Sequence, residues 1–126
     1  AYWADNAMPS VGFRPYIVYG PGRGEAGASA GPTLACRAAV QGVRYEIDYV
    51  GPSGLVYVDD VAAAFEAALF SEAPGAHVFT LAGGTVTIDE VIAEITRQVP
   101  GAQLSASGQP MPIAPELAKD DIAALL

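Results

Sequence analysis

The sequence predicts an α/β chain of an α+β-like kind, in which short strands alternate with about four to five helices and no complete doubly wound nucleotide-binding domain is present. Three observations lead there. Apolar runs rich in β-branched and aromatic residues alternate with runs of helical period. Glycine- and proline-rich turns separate them. Few intervening segments are long enough for successive strand–helix–strand crossovers. With 126 residues, 52% apolar and 16% charged, the chain is long enough for one folded domain with a modest core.

Six basic residues face fourteen acidic ones, for a net charge of −8. That balance argues against nucleic-acid phosphates or an anionic membrane surface as partner. One cysteine, Cys36, cannot form an internal disulfide, and one histidine, His77, leaves no Cys/His metal constellation. No stretch is long and apolar enough to cross a bilayer, and no signal segment opens the chain, so a cytoplasmic location is expected. "AYWADNAMPS" reads as the tail of a helix and "PELAKDDIAALL" as an amphipathic helix without a stop signal, so both ends are expected to be cut.

The elements follow in order. Val11 to Val18 is an apolar, β-branched run expected to be a buried strand, with Arg14-Pro15 marking an end, edge or bulge. Gly20 to Gly31 is a loop with five glycines in twelve residues, expected to be mobile because its small side chains offset little of the backbone entropy. Thr33 to Gln41 is helical and Gly42 ends it. Tyr45, Ile47 and Tyr49 alternate with Glu46 and Asp48 as a half-exposed strand. Leu55 to Val58 is a short strand, after which Asp59 or Asp60 caps a helix to Phe70 that carries Val61, Phe65, Ala68 and Leu69 on one face. Val78 to Ala82 is a strand closed by Gly83-Gly84. A short edge strand then leads to a helix whose Thr87 and Glu90 have capping-box spacing. "PGAQLSAS" supplies a last short strand and "GQPMPIAP" a linker to the final helix.

Gly22-Arg23-Gly24-Glu25-Ala26-Gly27 is a literal G-x-G-x-x-G between a strand and a helix, with Asp48 about twenty residues beyond. As a dinucleotide turn it is badly placed. Tyr19-Gly20-Pro21 separates it from the strand, and Ala28 to Pro32 separates it from the helix, which Pro32 suits as a first residue. A glycine-rich surface loop accounts for it better.

Three longer blocks carry more information: "GFRPYIVYGPGR", "LVYVDDVAAAFEAAL" and "GAHVFTLAGGTVTIDEVIAEI". In order and spacing they resemble the C-terminal, substrate-side part of the NAD-dependent epimerase/dehydratase family, within the extended short-chain dehydrogenase/reductase superfamily. The resemblance covers nearly the whole chain. It implies that the N-terminal Rossmann domain, with its glycine turn and its Tyr-x-x-x-Lys dyad, lies upstream. The single lysine, Lys119, stands near the other end, and Tyr2 is followed by Asn6 where the dyad needs lysine. The implied cofactor of the complete enzyme is NAD or NADP, and none is expected for this chain alone.

The resemblance also assigns residues. Pro15, Tyr16, Ile17 and Val18 would pass the nicotinamide, with backbone groups able to bond its carboxamide. The loop carrying Arg23, the helix at Thr33 with Arg37, and the strand at Ile47 and Tyr49 would line the substrate pocket. Ile17 and Ser53 stand where sugar-nucleotide members carry an Asn and an Arg on the diphosphate, which favours an uncharged or less charged substrate. No catalytic or metal-binding residue is assigned.

Arg14, Asp59 and Asp60 are expected to be structural, with Arg14 buried against one of the aspartates. Cys36, among small apolar neighbours on a helix, is expected to be buried and inert, and His77 exposed. Tyr2, Trp3 and Met8 would form an apolar patch open to self-association if the upstream domain is absent. Three functions stay open: the substrate-binding part of an NAD(P)-dependent epimerase, dehydratase or reductase acting on a sugar-type or other hydroxylated or carbonyl substrate; a non-catalytic interaction module; and an autonomous dinucleotide binder through Gly22 to Gly27.

Overall fold

The computed structural model describes residues 2–114 and 122; the expected final helix with Lys119 lies outside the described residues. Among them are four helices and seven strands: α1 (Tyr2–Asn6), β1 (Ser10–Pro15), β2 (Ile17–Tyr19), α2 (Gly31–Gln41), β3 (Tyr45–Ile47), β4 (Pro52–Tyr57), α3 (Val58–Leu69), β5 (Ala76–Leu81), β6 (Gly84–Thr87), α4 (Ile88–Gln98) and β7 (Leu104–Ala106). No helix among the described residues is long and apolar enough to cross a membrane.

The strands form three small units. β1 pairs β5 in parallel, β2–β4–β6 form a mixed sheet, and β3 pairs β7 in parallel. All three parallel pairs join strands distant in sequence, as parallel pairing requires. The single strand expected from Val11 to Val18 is in fact two. β1 runs beside β5 as far as Pro15, opposite Leu81, and β2 begins at Ile17 beside Leu55 of β4. Between them the Tyr16 N–H donates to the Leu81 carbonyl at 3.0 Å. The chain changes sheet at the residue after a proline that has no N–H to give. Of the eight residues from Val11 to Val18 only Ile17 is buried, because β1 has a partner along one edge among the described residues.

Local chemistry sets the helix ends. α2 begins at Gly31 with Pro32 in its first turn, and Gly42 ends it at φ 69°. Thr87 and Glu90 form the full capping box of α4: the Thr87 hydroxyl accepts from the Glu90 N–H at 3.2 Å, and the Glu90 carboxylate accepts from the Thr87 N–H at 2.7 Å. α3 corrects an expectation. Its N-cap is Tyr57, whose side chain makes no capping bond, so neither Asp59 nor Asp60 caps it. Both sit exposed in the first turn, where negative charge suits the helix dipole.

The core gathers where α2 and α4 meet the β3–β7 pair: Ala35, Ile47, Tyr49 and Ile88 are buried together, with Ile92, Leu104 and Met111 packed around them. Burying a side chain such as Ile47 contributes about 1.5–3 kcal/mol. A second cluster joins β1, α3 and β5, where the Phe13 ring meets Phe65 at 4.8 Å and Phe79 at 6.3 Å. That cluster explains why Arg14 is exposed rather than buried. Adjacent side chains in a strand point to opposite faces, and Phe13 takes the face that meets α3. Arg14 therefore points away from α3 and from Asp59 and Asp60.

Candidate cofactor and substrate face

Gly20 to Gly31 is closed on itself by one side chain. The Arg23 guanidinium donates to the carbonyls of Gly24 at 3.2 Å and Ala26 at 3.0 Å, and to the Ser29 hydroxyl at 3.1 Å. The Ala30 N–H donates to the Gly27 carbonyl. Thr33, half-buried in the first turn of α2, accepts the Gly20 N–H on its hydroxyl at 3.3 Å and ties the start of the loop to the helix. Arg37 reaches the Glu25 carboxylate at 2.6 Å, an exposed pair of the kind worth well under about 1 kcal/mol. Arg23 and Arg37 are thus engaged by the loop.

Of the other residues assigned to the substrate, Ile47 and Tyr49 are buried in the core. Tyr49 touches the start of α2: a Cβ on Gly31 would lie 3.4 Å from its ring and 2.9 Å from Ile47, so only glycine lets the helix approach this closely. The Tyr49 and Ser53 hydroxyls are both buried without a hydrogen-bond partner among the described residues. Burial pushes the Tyr49 phenol above its ordinary pKa. The nearby Ser53 hydroxyl softens that rise without meeting hydrogen-bond geometry, and the Asp48 and Tyr45 charges add to it. Two such hydroxyls in one place are uncommon in a packed interior.

The segment assigned to the nicotinamide lies at the β1–β2 switch. Pro15 is exposed, Tyr16 lays its ring across Gly54 with its hydroxyl buried and unpartnered, Ile17 is buried, and Val18 pairs Val56. β2 is one of the two edge strands of its sheet among the described residues. Half of its backbone groups face away from β4, and a carboxamide could meet them there.

Sequence reasoning missed a cleft of about 540 Å³ between α2 and α4. Cys36 and Val40 form one wall, Val91 and Ile95 the other, and Leu55 and Val86 the floor. The helical spacing of the wall residues was legible, but which helices face each other was not. Cys36 is exposed here rather than buried, and partial burial raises its thiol pKa, so it is a neutral thiol at neutral pH. His77 is half-buried, with its ring on Phe79 and its Nε2 at 2.8 Å from the Pro74 carbonyl. Tyr2, Trp3 and Met8 are exposed.

No protein-family model matches the sequence, and no curated protein matches it. Solved structures share the fold. UDP-glucose 4-epimerase from Thermus thermophilus, in complex with NAD, aligns with a TM-score of 0.72 at 22% identity over 98% of this chain and 42% of that one. UDP-N-acetylglucosamine 4-epimerase from Methanobrevibacter ruminantium, in complex with UDP-N-acetylmuramic acid, gives 0.79 at 18% identity over 98% and 41%. The NAD-dependent NDP-hexosamine 5,6-dehydratase TunA gives 0.64 at 24% identity over 94% and 39%. The chain therefore shares the fold of part of these enzymes and spans less than half their length.

Proposed function

We propose that this chain is the substrate-side part of an NAD(P)-dependent epimerase, dehydratase or reductase of the extended short-chain dehydrogenase type. It acts on a hydroxylated or carbonyl substrate and has no turnover of its own. The observation that carries the reading is the β1–β2 switch. Among the described residues β1–β5 is a two-stranded parallel unit, an incomplete sheet. Its continuation along β1 is where a Rossmann domain would pair. Among the same residues β2 has no strand on its second edge, which lies beside this junction, where a nicotinamide held by that domain would lie.

The exposed Tyr2, Trp3 and Met8 support the same reading, as side chains that the missing domain would cover. The autonomous dinucleotide reading loses support. Gly27 stands four residues before Gly31, the first residue of α2, so the glycines do not lead directly onto a helix N-terminus as a pyrophosphate turn requires.

The encoding gene is the test. An upstream reading frame of about 150 residues or more with a glycine-rich nucleotide turn and a Tyr-x-x-x-Lys dyad is the expected result. A gene whose start codon immediately precedes this segment contradicts the proposal and favours a binding module.

A further inference from the structure

The α2–α4 cleft has walls and floor of aliphatic side chains, and its volume of about 540 Å³ suits a small molecule. Among the described residues, no lysine, arginine or histidine lines it. Its two carboxylates are engaged within the protein: Glu90 by Thr87, and Glu94 by Arg97 at 2.6 Å and Gln98 at 2.7 Å. Cys36 is a neutral thiol. A phosphate in this cleft would meet the Glu90 carboxylate and a Glu94 already paired with Arg97, with no unpaired cation among the described lining residues, so its desolvation there would be poorly compensated. A neutral apolar group would bury the exposed Val40 together with the walls. Tyr19, at the end of β2, also lines the cleft, so the floor continues directly from the Pro15 to Val18 segment. Its phenol can donate to a hydroxyl or carbonyl.

We infer that this cleft binds a neutral, largely apolar small molecule bearing a hydroxyl or carbonyl group and rejects phosphorylated nucleotides. Only the further identification of that ligand as the substrate rests on the substrate-side reading. Binding can be measured on this chain without cofactor, so its failure is separate from any failure of that reading.

The uncharged ketone fluorophore 6-propionyl-2-(dimethylamino)naphthalene is titrated into the chain while the alkylation rate of Cys36 by iodoacetamide is followed. Inorganic pyrophosphate and UDP serve as anionic competitors. The expected result is saturable binding with Cys36 alkylation slowed about tenfold, and no protection by either anion at millimolar concentration. Val91→Trp, which fills the cleft, weakens fluorophore binding about tenfold. Val40 is 79% exposed, so Val40→Asp leaves the fold intact and does the same by placing a charge at the rim. Absence of saturable binding, protection of Cys36 by pyrophosphate or UDP, or binding that neither variant changes would each overturn the inference.

Discussion

The Tyr16 ring lies on Gly54 so closely that a Cβ at Gly54 would overlap it. This contact locks the residue at which the chain leaves β1 and enters β2 onto the middle of β4. Gly54→Ala should therefore displace the Tyr16 ring and destabilise the chain by about 1–3 kcal/mol. Chemical denaturation checks this, and pairing Gly54→Ala with Tyr16→Leu should recover part of the loss. An unchanged midpoint for Gly54→Ala would show that the ring is free to move.

Arg14 and Phe79 should behave as opposites. Arg14 is exposed, so Arg14→Met should change stability by no more than about 0.5 kcal/mol. Phe79 is buried in the β1–α3–β5 aromatic cluster, and Phe79→Ala should cost about 3–5 kcal/mol. Denaturation midpoints of the two variants test which face of β1 meets the core.

Glu94 gives a pH signature. Hydrogen bonds from Arg97, then from Gln98, lower its carboxyl from 4.5 to about 2. The unfolded chain thus takes up this proton before the folded one does. The pair favours the folded state fully above about pH 4.5, and the contribution is lost as pH falls towards 2. A carbon-detected NMR titration should find the Glu94 midpoint well below that of an ordinary glutamate, and Arg97→Ala should return it towards 4.5. The side chain is exposed, so high salt should narrow the difference.

Arg23 holds the loop from Gly24 to Ser29 through three side-chain hydrogen bonds. Arg23→Ala should speed amide hydrogen exchange at Ala30, whose N–H donates to the Gly27 carbonyl, while leaving the middle of α2 protected. Equal exchange in the two proteins would mean that the loop is already open in solution and that the guanidinium does not restrain it.

What the sequence revealed was mostly local. Thr87 and Glu90, Gly42 and Pro32 act within one helical turn, and their spacing alone announces the ends of α4 and α2. The failures involve relations between elements. The apolar run from Val11 to Val18 gives no sign that its two halves pair with different strands. Arg14 looked buried because its neighbours are apolar, yet its exposure follows from Phe13 taking the face that meets α3. Asp59 and Asp60 resemble caps, but α3 starts at Val58, straight off β4, and its cap position is Tyr57. Cys36, the α2–α4 cleft and the unpartnered Tyr49 and Ser53 hydroxyls depend on which helices and strands face each other, and no spacing within one segment encodes that.

The most direct test of the account is calorimetric titration of NAD and NADP at millimolar concentration, first into this chain alone and then into the same chain joined to a Rossmann half carrying the glycine turn and the Tyr-x-x-x-Lys dyad. No binding heat is expected for the chain alone, because the phosphate-binding turn and its helix N-terminus would come from the other half. Saturable binding is expected for the joined form. A micromolar dissociation constant for the chain alone would contradict it and return the cofactor site to the loop from Gly22 to Gly27.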